Sequence, residues 1–357
     1  MIWFLGVIKV TWKYGIRNDF YQFENEVFLI HLYLIQTIMN TVLAIDIGGT
    51  FTKIGIVDAA GEILVSKVIK TRSKEPFESF IKELVAEIKE LTMKFGTKSK
   101  ILAVGVGAPN ANSLTGNIEN PPNLKWGKVT PLAKSLEDVF KLPVFIANDA
   151  NATALGELKY GMAKGMKNFV VLTLGTGLGS GIIVNGDLLL GEHAQAGEIG
   201  HVNVDPNGRQ CNCGLQGCLE TYASVTGIKR TVFELIAEMS QDSPLRSISF
   251  DDLTGESIAN AALAGDKLAL RAFEITAEIL GSKMADTVAH LDPEAFILAG
   301  GLSKAGGILL NPVIANLEKN LFVAYKGKVK VYLSNAPRNA AILGPAALAW
   351  KQLDTFH

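Results

Sequence analysis

The chain has 357 residues, of which 48% are hydrophobic, so it is long enough for one large core or two smaller ones. Its 34 Lys and Arg residues balance 35 Asp and Glu residues, and the net charge of -1 argues against a general attraction to nucleic acid or an anionic membrane. No apolar run reaches the roughly 18 residues that a membrane-spanning helix needs. We therefore expect a cytoplasmic protein.

The first 38 residues mix aromatic, apolar and charged side chains without helix caps or periodicity. The apolar stretch at 27–39 is short, is interrupted by His31 and Gln36, and lacks the features of a signal peptide. We interpret residues 1–38 as a leader without function, so that the working protein begins at Met39. The alternative is a peripheral amphipathic anchor.

From residue 41 the chain alternates short apolar β-type runs with turns, and some stretches have the helical spacing of apolar residues. In the first half, the predicted strands are 41–45, 52–57, 62–69, 101–106 and 142–146, and the predicted helix is 78–95. In the second half, the predicted strands are 169–174, 182–184, 187–190, 295–298 and 329–333, and the predicted helices are 219–240, 255–264, 266–290, 307–320 and 339–353.

The same opening, a strand, a glycine loop, a strand, a turn and a strand, occurs twice, about 130 residues apart. It predicts two α/β domains related by duplication, with a ligand-binding cleft between them. We place a small N-terminal domain at 39–149 and a larger C-terminal domain at 150–339. The C-terminal helix, within 340–357, is expected to pack back on the first domain.

Both glycine loops suit phosphate binding. In the loop at 46–50, which reads DIGGT, glycines let backbone N–H groups face an anion, Thr50 adds a hydroxyl, and Asp46 is a candidate ligand for Mg²⁺. The loop at 175–181 offers the same donors, so the two together can grip one triphosphate. The alternative is that each loop is an ordinary hairpin turn. Neither a P-loop nor a dinucleotide-binding glycine motif is present.

Asn148 and Asp149 follow a predicted buried strand and open a probable helix. A carboxylate at a strand end can accept the proton of an alcohol that attacks a phosphoryl group. Helix capping explains the pair almost as well, because Asn and Asp are preferred N-caps. Both interpretations can hold, with Asn148 as the cap and Asp149 free for chemistry.

The three cysteines, Cys211, Cys213 and Cys218, lie within eight residues and are a poor disulfide framework. With His201 they supply the four ligands of a closed tetrahedral Zn²⁺ site, which is structural because no position stays open for water. The alternative is three free thiols and a surface histidine. Glu198 and Glu220 flank the cluster, so a fixed loop also fixes two carboxylates that suit sugar hydroxyls.

These motifs resemble the ROK family of sugar kinases and sugar-responsive repressors. The resemblance starts near Met39 and covers nearly all of the remaining chain. It is most specific where the sequence reads EIGH at 198–201 and CNCGLQGCLE at 211–220, the family's zinc and sugar signature. The glycine loops resemble its two phosphate loops, and residues 299–301 resemble its adenosine-side turn. The resemblance implies a duplicated, actin-like and hexokinase-like ATPase fold, usually assembled as a homodimer or homotetramer.

The resemblance also implies a role for each candidate residue. Asp149 would be the general base, typically on the 6-hydroxyl of a hexose, and His201 would join the zinc to the sugar. Candidate sugar contacts are Asn123, Asn148, Glu198, His201 and Glu220, although Asn123 could also belong to an ordinary proline-rich turn. Candidate contacts for ATP and Mg²⁺ are Asp46, Gly48, Gly49, Thr50, Thr52, Gly175, Thr176, Gly177, Gly300 and Gly301.

The leading hypothesis is an ATP-dependent glucokinase that binds a hexose and no nucleic acid or membrane. A second is a sugar-sensing repressor, which the absence of a helix-turn-helix pattern in residues 1–38 disfavours. A third keeps the kinase and changes the sugar to N-acetylmannosamine, fructose, allose or an N-acetylhexosamine. Polyphosphate is an alternative phosphoryl donor.

Overall fold

The computed structural model describes residues 39–96, 99–121, 124–336 and 340–355; the predicted leader at 1–38 lies outside them. The strands are β1 (Met39–Ile47), β2 (Phe51–Asp58), β3 (Ile63–Lys70), β4 (Ser99–Ala108), β5 (Ala111–Asn112), β6 (Asn117–Glu119), β7 (Val129–Thr130), β8 (Val144–Asn148), β9 (Phe169–Leu174), β10 (Leu178–Val184), β11 (Asp187–Leu188), β12 (Ala295–Ala299) and β13 (Lys330–Leu333). The α-helices are α1 (Phe77–Phe95), α2 (Leu132–Phe140), α3 (Asp149–Lys159), α4 (Val225–Glu238), α5 (Gly255–Leu263), α6 (Lys267–Leu291), α7 (Gly307–Asn320) and α8 (Leu343–Thr355).

Two five-stranded sheets have the same topology. The first has the order β3-β2-β1-β4-β8 and the second has the order β11-β10-β9-β12-β13. In each sheet the first three strands of the unit pair antiparallel, and the last two join in parallel. The predicted duplication is confirmed, and the two glycine loops occupy equivalent positions, between β1 and β2 and between β9 and β10.

Apolar sequence runs explain the strands at the centre of each sheet. The strand β12 is buried along its whole length, as expected for a central strand with neighbours on both sides. The helix α1 forms where the 3.6-residue pattern predicts it and buries its apolar face, of which Phe80 and Leu84 are at most 1% exposed. Each sheet therefore has a core of its own, built from strands and the helices that cover them.

The second glycine loop is shorter than predicted, because β10 begins at Leu178 and takes in Gly179 and Gly181. These two glycines serve close packing. A Cβ atom on Gly181 would lie 2.7 Å from the carbonyl oxygen of Ala150 and 2.6 Å from the Cβ atom of Ala154, both in α3. The helix that begins at Asp149 thus lies directly on the second sheet.

The helix predicted at 219–240 is also shorter in the structure. Residues Leu219–Thr221 form a 3-10 turn, and α4 starts only after Ser224. The Ser224 hydroxyl accepts a hydrogen bond from Gly227 N (3.0 Å) and donates one to Glu220 O (2.6 Å), so it caps the new helix and holds the preceding turn. A serine cap inside an apolar periodic pattern explains the difference.

The region between β4 and β8 contains elements that the sequence patterns do not predict. A small sheet with the order β5-β6-β7 and the helix α2 lie there. The strands of this sheet have two or three residues each, too short for an alternating pattern to be recognised.

The C-terminal helix α8 lies against β1 and β4 of the first sheet and against α3. Trp350 Nε1 donates to Asp58 O at 3.0 Å. The helices α3 and α8 pack closely, because a Cβ atom on Gly156 would lie 3.1 Å from the Cα atom of Gly344 and one on Gly344 would lie 2.5 Å from Ala152 O. This helix therefore contacts both the first sheet and the helix that carries Asp149. The domain boundaries at 149 and 339 stay predictions. Among the described residues, no helix has both the length and the apolar character to cross a membrane.

Candidate active site

The first glycine loop is held from behind by Thr71, at the end of β3. Gly48 N donates to Phe51 O at 3.0 Å and closes the loop. The Thr71 hydroxyl donates to Gly48 O at 2.7 Å, and Thr71 N donates to Thr50 O at 2.9 Å. Thr50 is exposed at the tip, where its hydroxyl is free of these supporting bonds. The sequence analysis missed Thr71, since nothing but its place after a strand marks it.

Thr52 has a different position from that of Thr50. Its side chain is buried, and its hydroxyl lies 2.9 Å from the hydroxyl of Thr71. Thr52 therefore supports the loop from inside the sheet, and a direct contact with a nucleotide stays a prediction.

The second glycine loop is joined to Glu220. Gly175 N donates to Gly177 O at 3.0 Å, and Leu178 N donates to Glu220 Oε2 at 3.2 Å. A Cβ atom on Gly177 would lie 2.5 Å from the same carboxylate oxygen. The glycine thus makes room for the carboxylate, so the position of Glu220 and the shape of the loop depend on each other.

Asn148 and Asp149 lie at the start of α3. Their contacts are compatible with both interpretations of the sequence, a helix cap and a carboxylate that is free for chemistry. The Asn148 side chain caps the helix by accepting from Ala150 N at 2.9 Å, and Asp149 Oδ1 accepts from the same N–H at 2.8 Å. The Asp149 carboxyl is accessible to solvent but stands in a recess crowded by protein atoms, and this crowding raises its pKa. One of its oxygens has no hydrogen-bond role in the cap and is available for chemistry.

Glu198 precedes a 3-10 turn that spans Ile199–His201. The hydroxyl of Ser180, in β10, donates to Gly197 O and accepts from Ile199 N at 3.1 Å, so it fixes the chain on both sides of Glu198. Ser180 is a second supporting residue that the sequence analysis missed. Its only signal is its place inside the second glycine-rich segment.

Four carboxylates interact across the ends of the two sheets. Burial raises the pKa of Asp46 to about 6, Lys53 opposes this rise, and Asp149 adds to it. Burial also raises the pKa of Glu198, where His201 opposes the rise and Asp149 and Glu220 add to it. Asp149 therefore interacts electrostatically with both Asp46 and Glu198, and Glu220 interacts with Glu198. Such a cluster favours a divalent cation or a ligand rich in hydroxyl donors.

The cysteine and histidine side chains converge as a metal site would require. The ligand atoms of His201, Cys211, Cys213 and Cys218 all lie within 4.8 Å of one another. Cys213 Sγ lies 3.6 Å from Cys218 Sγ, close to the about 3.8 Å that two thiolates on one tetrahedral Zn²⁺ would have. All three cysteines are free thiols. The donor set therefore fits a zinc ion.

The metal loop, which we define as residues 208–218, contacts the Glu220 carboxylate directly. The Cys211 thiol lies 3.1 Å from Glu220 Oε1 and 3.9 Å from His201 Nδ1. Glu220 thus contacts the cluster through one oxygen and the second glycine loop through the other. A displacement of the metal loop would therefore displace the Glu220 carboxylate.

A cavity of about 590 Å³ brings part of the predicted site together. From the second half it is lined by Thr176, Gly177, His201 and Glu220, together with Arg230 of α4. From the first half it is lined by Asn110 and Asn120, neither of which is among the site residues predicted from the sequence. Both have a positive φ, of 52° and 47°, and their only signal was an asparagine in a turn region. Asn123 lies outside the described residues.

Gly300 and Gly301 line a different cavity, of about 430 Å³, between α3, α8 and the end of β12. Gly300 has φ of 91°, and a Cβ atom there would lie 2.7 Å from the carbonyl carbon of Leu174. A glycine is therefore required at the point where this turn meets the start of the second glycine loop. The Gly300 turn therefore contacts the second glycine loop, although the two segments do not line the same cavity.

The chain is similar to known proteins over most of its length. The sequence matches the ROK family over residues 42–352. A glucokinase of Halalkalibacterium halodurans is 37% identical over 317 residues, 87% of this chain and 95% of the relative. A xylose repressor of Caldicellulosiruptor bescii is 29% identical and is matched over 89% of this chain and 80% of the relative.

The fold is similar to that of a solved ROK family glucokinase from Streptomyces griseus, in complex with glucose and AMPPNP. The TM-score is 0.75 at 32% identity, with 87% of this chain and 99% of the other covered. The predicted fold class is confirmed by this likeness. With the family match over most of its length, the chain belongs to the ROK family.

Proposed function

We propose that the protein phosphorylates a hexose with ATP, and that glucose is the substrate that it prefers. The observation that carries the proposal is the Asp149 carboxyl at the start of α3, which keeps one oxygen outside the helix cap, has a raised pKa, and adds to the raised pKa of both Asp46 and Glu198. The similar glucokinases support the choice of glucose.

In the proposed reaction the sugar 6-hydroxyl attacks the γ-phosphorus of ATP. Asp149 accepts the hydroxyl proton as the new O–P bond forms, and the bond between the γ-phosphorus and the bridging oxygen breaks to release ADP. A raised pKa suits a base that must hold this proton and then release it. Asn148, Glu198, His201 and Glu220 hold the sugar so that one hydroxyl faces Asp149.

The glycine loops bind the triphosphate through backbone N–H groups, with Thr50 and Thr176 exposed at their tips. Asp46 is the residue that would hold Mg²⁺, which neutralises phosphate charge when bound. His201 and the three cysteines would hold Zn²⁺. With four protein ligands, a bound ion would order the metal loop and Glu220 and would have no open position for the chemical step.

A sugar-sensing repressor is the second candidate, because repressors are among the similar proteins. The more similar glucokinase, at 37% identity against 29%, and the clustered carboxylates favour the enzyme. Homodimer or homotetramer formation and a cytoplasmic location are further parts of the proposal.

The test is a panel of hexoses and N-acetylhexosamines, each incubated with ATP and Mg²⁺ while ADP release is measured. We expect glucose to give the highest kcat/KM. A different best sugar would change the substrate and keep the reaction. The same panel run with polyphosphate identifies the donor. Sugar binding without turnover of any member would contradict the kinase and favour the repressor.

A further inference from the structure

Arg209 stands two residues before Cys211, the first cysteine of the metal cluster, and has no role in the proposed reaction. Its side chain is only 11% exposed. A guanidinium so deeply placed must keep its hydrogen bonds, because a buried charge without partners is costly. The contacts of Arg209 therefore show what it holds in place.

The guanidinium binds two segments at once. Nη1 donates to Thr221 O at 2.7 Å and to Gly227 O at 3.1 Å, while Nη2 donates to Thr231 Oγ1 at 2.9 Å. Nε donates to Glu234 Oε1 at 2.9 Å, and Nη2 also contacts the other oxygen of Glu234. Thr221 directly follows Glu220, whereas the other three partners lie on α4. The side chain thus joins the metal loop, the Glu220 turn and α4.

Tyr222 completes this arrangement. The Arg209 guanidinium lies 4.4 Å from the centre of the Tyr222 ring, and the Tyr222 hydroxyl accepts from Arg209 N at 3.1 Å. From the other direction, Arg230 Nη1 on α4 donates to Gln210 O at 2.9 Å. Two neighbouring residues of the metal loop, Arg209 and Gln210, are therefore both hydrogen-bonded to α4.

The helix α4 is in turn tied to the second glycine loop and to Glu220. Val225 N, at its first residue, donates to Gly175 O at 2.8 Å, and Ser224 donates to Glu220 O at 2.6 Å. One hydrogen-bond network therefore connects the metal loop, the Glu220 turn and the second glycine loop. Within this set of hydrogen bonds, the Arg209 side chain makes more than any other side chain described above.

We infer that Arg209 is a positioning residue, which fixes the metal loop and Glu220 against α4 and so sets both the affinity for the sugar and the retention of zinc. The part of this inference that concerns the sugar rests on the proposed function. The part that concerns the metal does not. Arg209 acts through Glu220 and touches no reacting atom.

A purely structural role would lower stability without selectivity for the sugar or the metal. Arg246 provides the matched control, because it donates to Ile236 O at 3.0 Å and Gln241 O at 2.8 Å near the far end of α4. The variants are Arg209→Gln, Arg209→Lys, Glu234→Gln and Arg246→Gln. Lysine keeps the charge and loses the planar set of donors. Glu234 is 55% exposed, so its replacement removes a weak pair and spares the other contacts.

For each variant, KM is measured for glucose and for ATP, zinc release to a chelator is followed over time, and thermal unfolding is recorded. In Arg209→Gln we expect the glucose KM to rise about tenfold, the ATP KM to stay within about twofold, and zinc to be released at least about tenfold faster. Arg209→Lys should lie between this variant and the parent. Glu234→Gln should resemble the parent, and Arg246→Gln should lower only the unfolding temperature.

Parental glucose KM and zinc release in Arg209→Gln would overturn the inference, as would equal changes in Arg246→Gln. If Arg209→Gln does not fold, parental values in Arg209→Lys would overturn it. If no hexose is phosphorylated, the proposed function fails, but zinc release still decides whether Arg209 positions the metal loop.

Discussion

At the scale of single residues, the proposed role of Asp149 as general base depends on its surroundings. Its backbone position is that of the first residue of a helix, and Asn148 already caps that helix. The carboxyl can therefore be changed without removing the cap. Asp149→Asn keeps the size of the side chain and removes its ability to accept a proton.

We expect Asp149→Asn to reduce kcat by at least about 100-fold, the lower end of what a general base contributes, while glucose still binds. The measurements are ADP release and glucose binding by calorimetry. The exposed Asp242→Asn serves as the control and should keep parental kcat. Turnover of Asp149→Asn above about 1% of the parent would remove Asp149 as the base.

Asp46 provides a test of charge burial. Its pKa rises from 3.8 to about 6, so the folded chain binds more protons than the unfolded chain between these pH values. Stability therefore falls as pH rises from about 4 to about 6, and the penalty persists at higher pH. Asparagine cannot ionise and should not show this fall.

We expect Asp46→Asn to be more stable than the parent by about 2 kcal/mol at pH 7.5, and equal to it near pH 3.5. Urea unfolding at the two pH values measures the difference. Asp242→Asn, at an exposed position, is the control for replacing an aspartate by an asparagine. A constant difference between Asp46→Asn and the parent would show that the ionised carboxyl is not penalised in the fold.

At the scale of elements, the metal loop tests whether four ligands act as one site. Cys213 is exposed, so its thiol can be removed without opening a buried cavity. We expect Cys213→Ala to lose zinc and to become more sensitive to protease within residues 208–218, because structural zinc contributes folding free energy. Zinc content after dialysis and the cleavage pattern are the measurements.

Leu215→Ala is the matched control for Cys213→Ala, since Leu215 is 57% exposed in the same loop and is not a candidate ligand. It should retain zinc and resist protease like the parent. A full zinc stoichiometry in Cys213→Ala would refute the assignment of Cys213 as a ligand.

Elements with long, uniform patterns could be predicted from the sequence, and short ones could not. The helix α1 and the central strands have enough apolar positions for one period to dominate. The start of α4 was predicted too early because only the hydrogen bonds of Ser224 separate the 3-10 turn from the helix. In the site, a compact motif located the cluster of one histidine and three cysteines that could hold a metal ion. Asn110, Thr71 and Arg209 contribute through tertiary contacts, which spacing along the chain does not record.

At the scale of the whole molecule, the helix α8 connects the first sheet to α3, and this connection can be tested. A Cβ atom on Gly105, in β4, would lie 1.9 Å from Pro345 O, a backbone atom that cannot rotate away. An alanine there must push α8 off the first sheet. Because α8 also packs on α3, which begins at Asp149, the displacement should reach the Asp149 carboxyl.

We expect Gly105→Ala to lower the free energy of unfolding by about 1–3 kcal/mol, the usual cost of overpacking, and to lower kcat as well. Gly255→Ala is the control, since its Cβ atom would meet Val225 only at an ordinary 3.4 Å, and it should be at least as stable as the parent. Urea unfolding and ADP release measure both effects. If Gly105→Ala loses stability but keeps parental kcat, α8 holds the first sheet without positioning α3. If it loses neither, β4 and α8 are not in close contact in solution.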